Sequence, residues 1–596
     1  MVGSTATASA FATRRRLFGA LACAIGIAEP ETAPMRRSEK PSMDTRLAER
    51  DAAAVTYAVP PAPFRWLSKA GFGVSPADIA ALAALPGASD EARWAAWVER
   101  QLAPASINDS ACDSRLAAAA LTTLGKSLQQ LWTDHESTAD YAVRMRPMAE
   151  NECATLIRQA YSQRQLFETM VDFWHDHFSV FGWDYNGGPV FPHYDRDIIR
   201  PRALGNFRAM LEEVTKSTTM MYYLDLYSST RAGPNENFAR ELFELHTLGA
   251  ENYGGVLYPD DPSLPIGQLA DGTSVRLKYV DIDVYEATSA LTGWTLRNGH
   301  WQYPAENDGT FIYRDDWHDQ YQKYILNRYI APYQHQADGT RLLDILASHP
   351  GTARFVAKKL CRRFVADDPP AALVNAAATE FITNWQAPDQ IARVVRLILN
   401  SADFRTSWGL RMKRPAVAAV GALRALGADF TPVPDYTSAW TTSEEFISRL
   451  QFTGNRLFYW PAPNGYPDKR VAWASTGALG MTFRLLGRLP EMRQVNGNTS
   501  TPYVADVLAQ TLAAFPNAAD RHASNIAGYW CDRLLGGRPS PTYPVAVNYL
   551  RQNAAATEAL SLNEAWAGTN LKAHYTQSRL RTMVALILCS PDYLRR

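Results

Sequence analysis

The chain has 596 residues, 46% of them hydrophobic, and its 60 Lys+Arg are balanced by 60 Asp+Glu. That length allows roughly four domain-equivalents or one large domain with insertions, and zero net charge disfavours a dedicated nucleic-acid binder, which carries a basic excess. Gly (35) and Pro (36) are near ordinary usage and Cys is only 6, so collagen-like, wholly disordered and disulfide-scaffold readings are excluded.

From the N-terminus, Thr13-Arg14-Arg15-Arg16-Leu17-Phe18 leads into a short apolar run ending at Ala28. A basic segment, a brief apolar stretch and small residues at Gly26 and Ala28 fit an export signal of twin-arginine type over residues 1–28. The apolar run is too short to span a bilayer, which takes about 20 residues. No later stretch is apolar enough to span one either, so the expected location is periplasmic or extracellular. Residues 29–60 are polar and Pro-bearing and read as a linker, and 61–596 as a helical domain. In an oxidising compartment Cys112 and Cys153 are the nearest candidates for a bridge, with free buried thiols the equal alternative.

The helical pattern begins with Ser75-Pro76-Ala77-Asp78, a capping sequence with Pro in the first turn. Apolar residues at three-to-four spacing continue through 150–180, 201–226, 236–249, 341–366, 373–399, 412–427, 503–514 and 573–589. Strand signals are few. The clearest is a hairpin from Trp294 to Tyr313 with its turn at Arg297-Asn298-Gly299-His300. The expected fold is therefore mainly α: a large multi-helix body with a small β-hairpin insertion near 270–315. The Pro- and aromatic-rich stretch 428–475 reads as a long ordered loop. An internal echo links Val395–Phe404 with Val584–Tyr593, each a helix end followed by a Ser cap and an aromatic anchor.

Three segments hold groups capable of chemistry. On a helical wheel over Leu166–Phe178, Met170, Phe173 and His177 share the apolar face, and His175 lies about 160° from His177. The two histidines of Trp174-His175-Asp176-His177 thus cannot share one metal on a helix. His177 is a titratable group in an apolar stripe, either a satisfied core residue or one lining a pocket. In Pro234–Gly249, Asn237, Arg240, Glu241 and Glu244 share an arc of about 100°. Close carboxylates split their pKa values into an acid and a base; the plainer alternative is a surface ion pair between Arg240 and Glu244. His246 falls off this arc, and no Glu-X-X-His di-metal spacing is present. His318-Asp319, after the hairpin, offers a base with its orienter or a turn with solvated charges. Nucleophile-elbow, phosphate-loop and dinucleotide fingerprints are absent.

Taken together the blocks resemble the family called domain of unknown function 1800. They are Phe64–Gly73, Phe173-Trp174-His175-Asp176-His177-Phe178, Arg200–Phe207, Tyr223-Leu224-Asp225, Pro234–Leu242 with Glu244–Gly249, Ala290–Trp294, His318-Asp319, His349-Pro350 with Lys359-Leu360, and Ser590–Tyr593. The stretch Pro461–Tyr466 departs from the family's Pro-Pro-Asn-Val-X-Gly-Trp, with Ala462 and Pro463 before the Asn and Tyr466 in place of Trp. The resemblance implies an exported protein without an assigned reaction, often accompanied by an exported sulfatase-like partner. Three functions follow as expectations. The first is a hydrolase of a glycan or other extracytoplasmic polymer, using Glu241 and Glu244 with Arg240 and Asn237 orienting and His177 or His318 assisting. The second is a non-catalytic cell-surface assembly or binding protein, and the third a metal-dependent enzyme. The first needs no cofactor, and the third keeps a metal open.

Overall fold

The computed structural model describes residues 59–434, 440–552, 554–555, 557–562 and 571–596. The export signal at 1–28 and the linker up to residue 58 lie outside the described residues.

Helix starts follow the capping chemistry. Helix α1 covers Ala62–Ala70 and α2 covers Pro76–Ala83. At α2 the Asp78 amide donates to Ser75 Oγ at 3.3 Å, and Asp78 Oδ2 accepts from the Ser75 amide at 2.7 Å. This reciprocal box satisfies two amides that a helix start leaves orphaned. The main helices that follow are α3 (Asp90–Leu102), α4 (Tyr141–Tyr161), α5 (Gln165–Phe178) and α6 (Phe207–Lys216). Next come α7 (Asn237–Glu241), α8 (Asp281–Leu291), α9 (Ala337–Ala347), α10 (Pro350–Phe364), α11 (Ala371–Thr383) and α12 (Gln390–Asn400). The C-terminal part holds α13 (Pro415–Ala425), α14 (Thr442–Phe452), α15 (Thr476–Arg488), α16 (Ala523–Leu535) and α17 (Leu571–Leu588). Among the described residues no helix is long and apolar enough to cross a membrane.

Among the described residues three antiparallel hairpins interrupt the helices: β1 (Ile266–Gln268) with β2 (Ser274–Arg276), β3 (Trp294–Asn298) with β4 (Asn307–Tyr313), and β5 (Lys323–Ile325) with β6 (Arg328–Ile330). The protein is mainly α with small hairpins, and the β region runs to residue 330, beyond the expected 315. Trp294 pairs with Tyr313 as the alternation implied, but the connection is longer than a four-residue turn. Asn298 pairs with Asn307, and the loop between them folds on its own bonds, from the Tyr303 amide to the His300 carbonyl and from Glu306 to Tyr303. The stretch 428–475, expected to be loop, holds α14. There Thr441 and Glu444 form a capping box and Phe446 and Leu450 supply a buried face, a helix signal outweighed in the sequence by the flanking prolines and aromatics.

The two largest hydrophobic cores among the described residues organise the packing. One gathers α1, α3, α5, α6 and α8 to α12 around Trp94, Trp174, Phe207 and Trp294; the other gathers α13 to α17 around Phe446, Leu486, Trp530 and Ile587. Each fully buried large apolar side chain contributes roughly 1.5–3 kcal/mol. The internal echo places one copy in each core. Ser401 caps the turn carrying buried Phe404, and Ser590 caps the turn carrying buried Tyr593. A buried lysine lies over each anchor, Lys69 4.1 Å from the Phe404 ring and Lys413 3.9 Å from the Tyr593 ring. Cys112 and Cys153 are buried free thiols.

Candidate active site

Helix α5 runs through the first core and is buried on nearly all sides, so its polar residues must be paired. The two histidines of its Trp-His-Asp-His motif face opposite neighbours. His177 Nε2 lies 3.0 Å from the His246 carbonyl oxygen within an aromatic shell of Phe173, Trp174, Phe178 and Phe207. Burial, and then the Lys359 charge, push its pKa well below the usual imidazole value, which keeps it neutral. His175 Nε2 lies 2.9 Å from Asp195 Oδ1. Asp195 sits on a wide π-type turn, Tyr194–Ile199, and is held by Arg200, which also binds Glu168 through two nitrogens.

The other side of α5 lines a narrow cleft, with a free volume of ≈ 50 Å³, between Asp172, His175, Asp176 and Ser179, the start of α13 and the 455–466 segment. Arg414 donates to Asp176 Oδ2 from both terminal nitrogens at 3.0 Å, and to Asp468 at 2.8 Å. The Tyr466 amide donates to Asp176 Oδ1 at 2.8 Å, Ser179 Oγ donates to the Ala462 carbonyl at 3.0 Å, and Arg363 pairs with Asp172 at 3.0 Å. Gly465 has φ +76°, and a Cβ there would stand 2.3 Å from the Asp176 carbonyl oxygen, so the loop closes on α5 at a point that only glycine fits. Burial raises the Asp176 pKa and the Arg414 charge opposes it. Pro461–Tyr466, where the chain departs from the family pattern, thus roofs the cleft and anchors the motif of α5.

The carboxylates at the end of α7 and in the turn after it are arranged differently. The α-helix ends at Glu241 and widens into a π-type turn, Leu242–His246, so the 100° wheel does not extend across the segment. Phe238, Leu242, Phe243 and His246 are buried, whereas Glu241 and Glu244 are half-buried. Arg240 turns away from both, pairing with Glu236 at 3.1 Å and with Asp281 at the start of α8 at 3.5 Å. Among the described residues neither Glu241 nor Glu244 has a hydrogen-bond or ion-pair partner. Partial burial, then the neighbouring Glu244 charge, push the Glu241 pKa up to about 7, with Arg240 opposing. Three tyrosines share the neighbourhood. Tyr223, whose own pKa rises on burial and from the Glu241 charge, donates to the Pro461 carbonyl at 2.9 Å. Tyr279 is raised by burial and by Glu244, and Tyr253 packs on it with ring centroids 5.3 Å apart while donating to Asp281 at 2.9 Å. Asn237 is exposed, its amide donating to Asn235 Oδ1 at 3.1 Å.

The structure therefore brings Asn237, Arg240, Glu241 and Glu244 onto one short segment but keeps the two histidines apart from it. His177 is a core residue behind that segment. His318 is fully buried, with Nδ1 2.8 Å from the Thr292 carbonyl and Nε2 3.1 Å from Asp338, so Asp338 orients it rather than Asp319. Both ring nitrogens are engaged, which leaves no lone pair for substrate. Among the described residues no three His, Cys, Asp or Glu side chains group as metal ligands. Tyr223, Tyr253, Tyr279 and Asp281 were not found by sequence reasoning. The Tyr223-Leu224-Asp225 block was visible, but nothing local joins it to residue 241.

A mainly α body with short hairpins, a buried ionic network on α5 and, at the end of α7 and in the turn after it, two carboxylates without a partner among the described residues define the class of molecule. The family model described as protein of unknown function (DUF1800) matches residues 65–595, so the chain belongs to that family. Neither a curated protein nor a solved structure matches it.

Proposed function

We propose that this protein is an exported hydrolase of a glycan or other extracytoplasmic polymer, with Glu241 as general acid and Glu244 as its partner base. The observation that carries this reading is the lack of compensation at Glu241. A half-buried carboxyl beside a second one, with the adjacent arginine committed elsewhere, holds a proton near neutral pH. In the proposed step the Glu241 proton passes to the leaving oxygen as its bond to carbon breaks. Glu244 takes a proton from the water whose oxygen bonds to that carbon. Tyr223 and Tyr253 offer ring faces beside the pair for a sugar to stack on. The N-terminal basic and apolar pattern supports export.

The test is release of reducing ends from peptidoglycan, chitin and a panel of plant and bacterial polysaccharides. Wild type should act on at least one of them, and Glu241→Gln should lower the rate about 10²–10⁴-fold without loss of thermal stability. Activity should fall as pH rises through about 7, because the acid must keep its proton. No release from any polymer, or a Glu241→Gln variant as active as wild type, overturns the reading. A different feature favours a non-catalytic cell-surface protein working with an exported sulfatase-like partner: the groove beside α14 exposes Trp440 and Phe452 at 59% and 71%. Intact activity in Glu241→Gln together with lost partner binding in Phe452→Ser would select that reading.

A further inference from the structure

Helix α8 connects the carboxylate segment to the β5–β6 hairpin, and it and the hairpin carry exposed tyrosines that the proposed chemistry does not use. Asp281, which binds Arg240 and Tyr253, starts α8. Tyr285 stands one helical turn further, about 6 Å along the axis, on the outward side of that helix. The next residue, Glu286, accepts the Tyr324 amide at 2.8 Å and so docks α8 against the β5–β6 hairpin. Tyr324 and Tyr329 are direct cross-strand partners with ring centroids 5.0 Å apart. Tyr321 and Tyr333 flank the hairpin, and the Tyr333 amide donates to the Gln320 carbonyl at 2.9 Å, which ties the two flanks together.

These five tyrosines are 54% to 76% exposed, whereas Ile325, Leu326 and Ile330 of the same hairpin are at most 1% exposed. The hairpin has therefore buried its aliphatic residues and left rings with hydroxyls outside. A tyrosine ring gives the C–H face of a sugar a flat apolar platform, and its hydroxyl gives the sugar's hydroxyls a partner. Of the two cations in the hairpin, Lys323 is turned inward onto Asp338 at 2.7 Å and Arg328 donates to the Ser274 carbonyl at 3.4 Å, so neither is paired with a surface carboxylate that an acidic polymer would replace.

We infer that Tyr285, Tyr321, Tyr324, Tyr329 and Tyr333 form a binding track for an uncharged glycan strand, running from the carboxylate pair along α8 to the β5–β6 hairpin. The inference rests on the glycan-hydrolase reading for its direction, and binding tests it apart from cleavage.

Affinity electrophoresis of the full chain through gels containing mixed-linkage β-glucan, arabinoxylan, galactomannan, dextran or glycol chitin reads the track directly. Wild type should be retarded in at least one gel, and Tyr324→Ala/Tyr329→Ala should weaken that retardation at least tenfold in Kd. Tyr324→Phe/Tyr329→Phe should keep most of it, and Glu241→Gln should be retarded like wild type. The exposed positions should leave the melting temperature unchanged, which separates lost binding from lost folding. No retardation of wild type in any gel, or an alanine pair retarded like wild type, overturns the track. An alanine pair that binds normally beside a Glu241→Gln variant that has lost cleavage removes the track and leaves the hydrolase. The opposite result removes the hydrolase and leaves the track.

Discussion

Helices α5 and α7 each carry acidic side chains next to an arginine, and the protein treats them in opposite ways. On α5, Asp176 receives two bonds from Arg414 and one from the Tyr466 amide, and Asp172 has Arg363. On α7, Arg240 pairs with Glu236 and Asp281, while Glu241 at the helix end and Glu244 in the turn after it have no partner among the described residues. A carboxylate whose oxygens are all satisfied is a structural joint, here the one that fastens the 461–468 loop to the first core. A carboxyl left unpaired in a half-buried place costs stability, and that cost is typical of a group held ready for chemistry.

Substitution should separate the two regions by sign. The largest effect is expected from Asp176→Ala, which leaves Arg414 buried with its main partner gone and should cost about 3–5 kcal/mol of unfolding free energy in urea. A loss below 1 kcal/mol would show that the α5 network is not a joint.

Lys413 and Lys69 repeat the contrast between unpaired and paired groups. Each lies over an aromatic anchor, and burial first, then the charges of Arg65 and Arg596 at Lys69 and of Arg596 at Lys413, push each pKa down to about 7. Lys69 donates to Phe404 and to Ser407, whereas the Lys413 ammonium has no hydrogen-bond partner among the described residues. An unfolded lysine titrates near 10.4. Between about pH 7 and 10 the unfolded chain therefore binds more protons at Lys413, and stability from this group rises with pH across that window. Lys413→Met should raise stability at pH 6 by roughly 1–2 kcal/mol and flatten this rise, whereas Lys69→Met should lower it. Chemical denaturation at pH 6 and pH 9 checks both.

Glu241 gives a smaller effect of the opposite pH sense. Its pKa is raised on folding, so between about 4.5 and 7 the folded chain binds more protons and stability falls as pH rises. Glu241→Gln should remove that fall and gain roughly 1 kcal/mol at pH 8, after allowance for solvent screening. A variant less stable than wild type at pH 8 would make Glu241 a structural residue like Asp176. The smallest change is expected at α2, where Ser75→Ala removes one half of the capping box at about 1 kcal/mol and should leave both carboxylate regions untouched.

Much of the architecture was legible because it is local. The Ser75–Asp78 box, the apolar stripe of α5, the hairpin strands from Trp294 to Tyr313 and the two Ser-capped anchors follow from a few neighbouring residues. The opposed faces of His175 and His177 were also readable, since two residues on a helix are about 160° apart. The helix at 442–452 was missed because its capping box sits in a Pro- and aromatic-rich stretch. The π-type turn after Glu241 was missed because apolar spacing alone does not distinguish it from an α-helix.

The sequence by itself determined that Arg240, Glu241 and Glu244 fall within five residues of one another and that the chain builds a mainly α body. Only tertiary structure decided which charges are paired. Arg414 reaches Asp176 across 238 residues of chain, and Arg240 finds Asp281 41 residues on. Periodicity and capping act over a turn or two, whereas the choice of ionic partner depends on which surfaces the two cores press together.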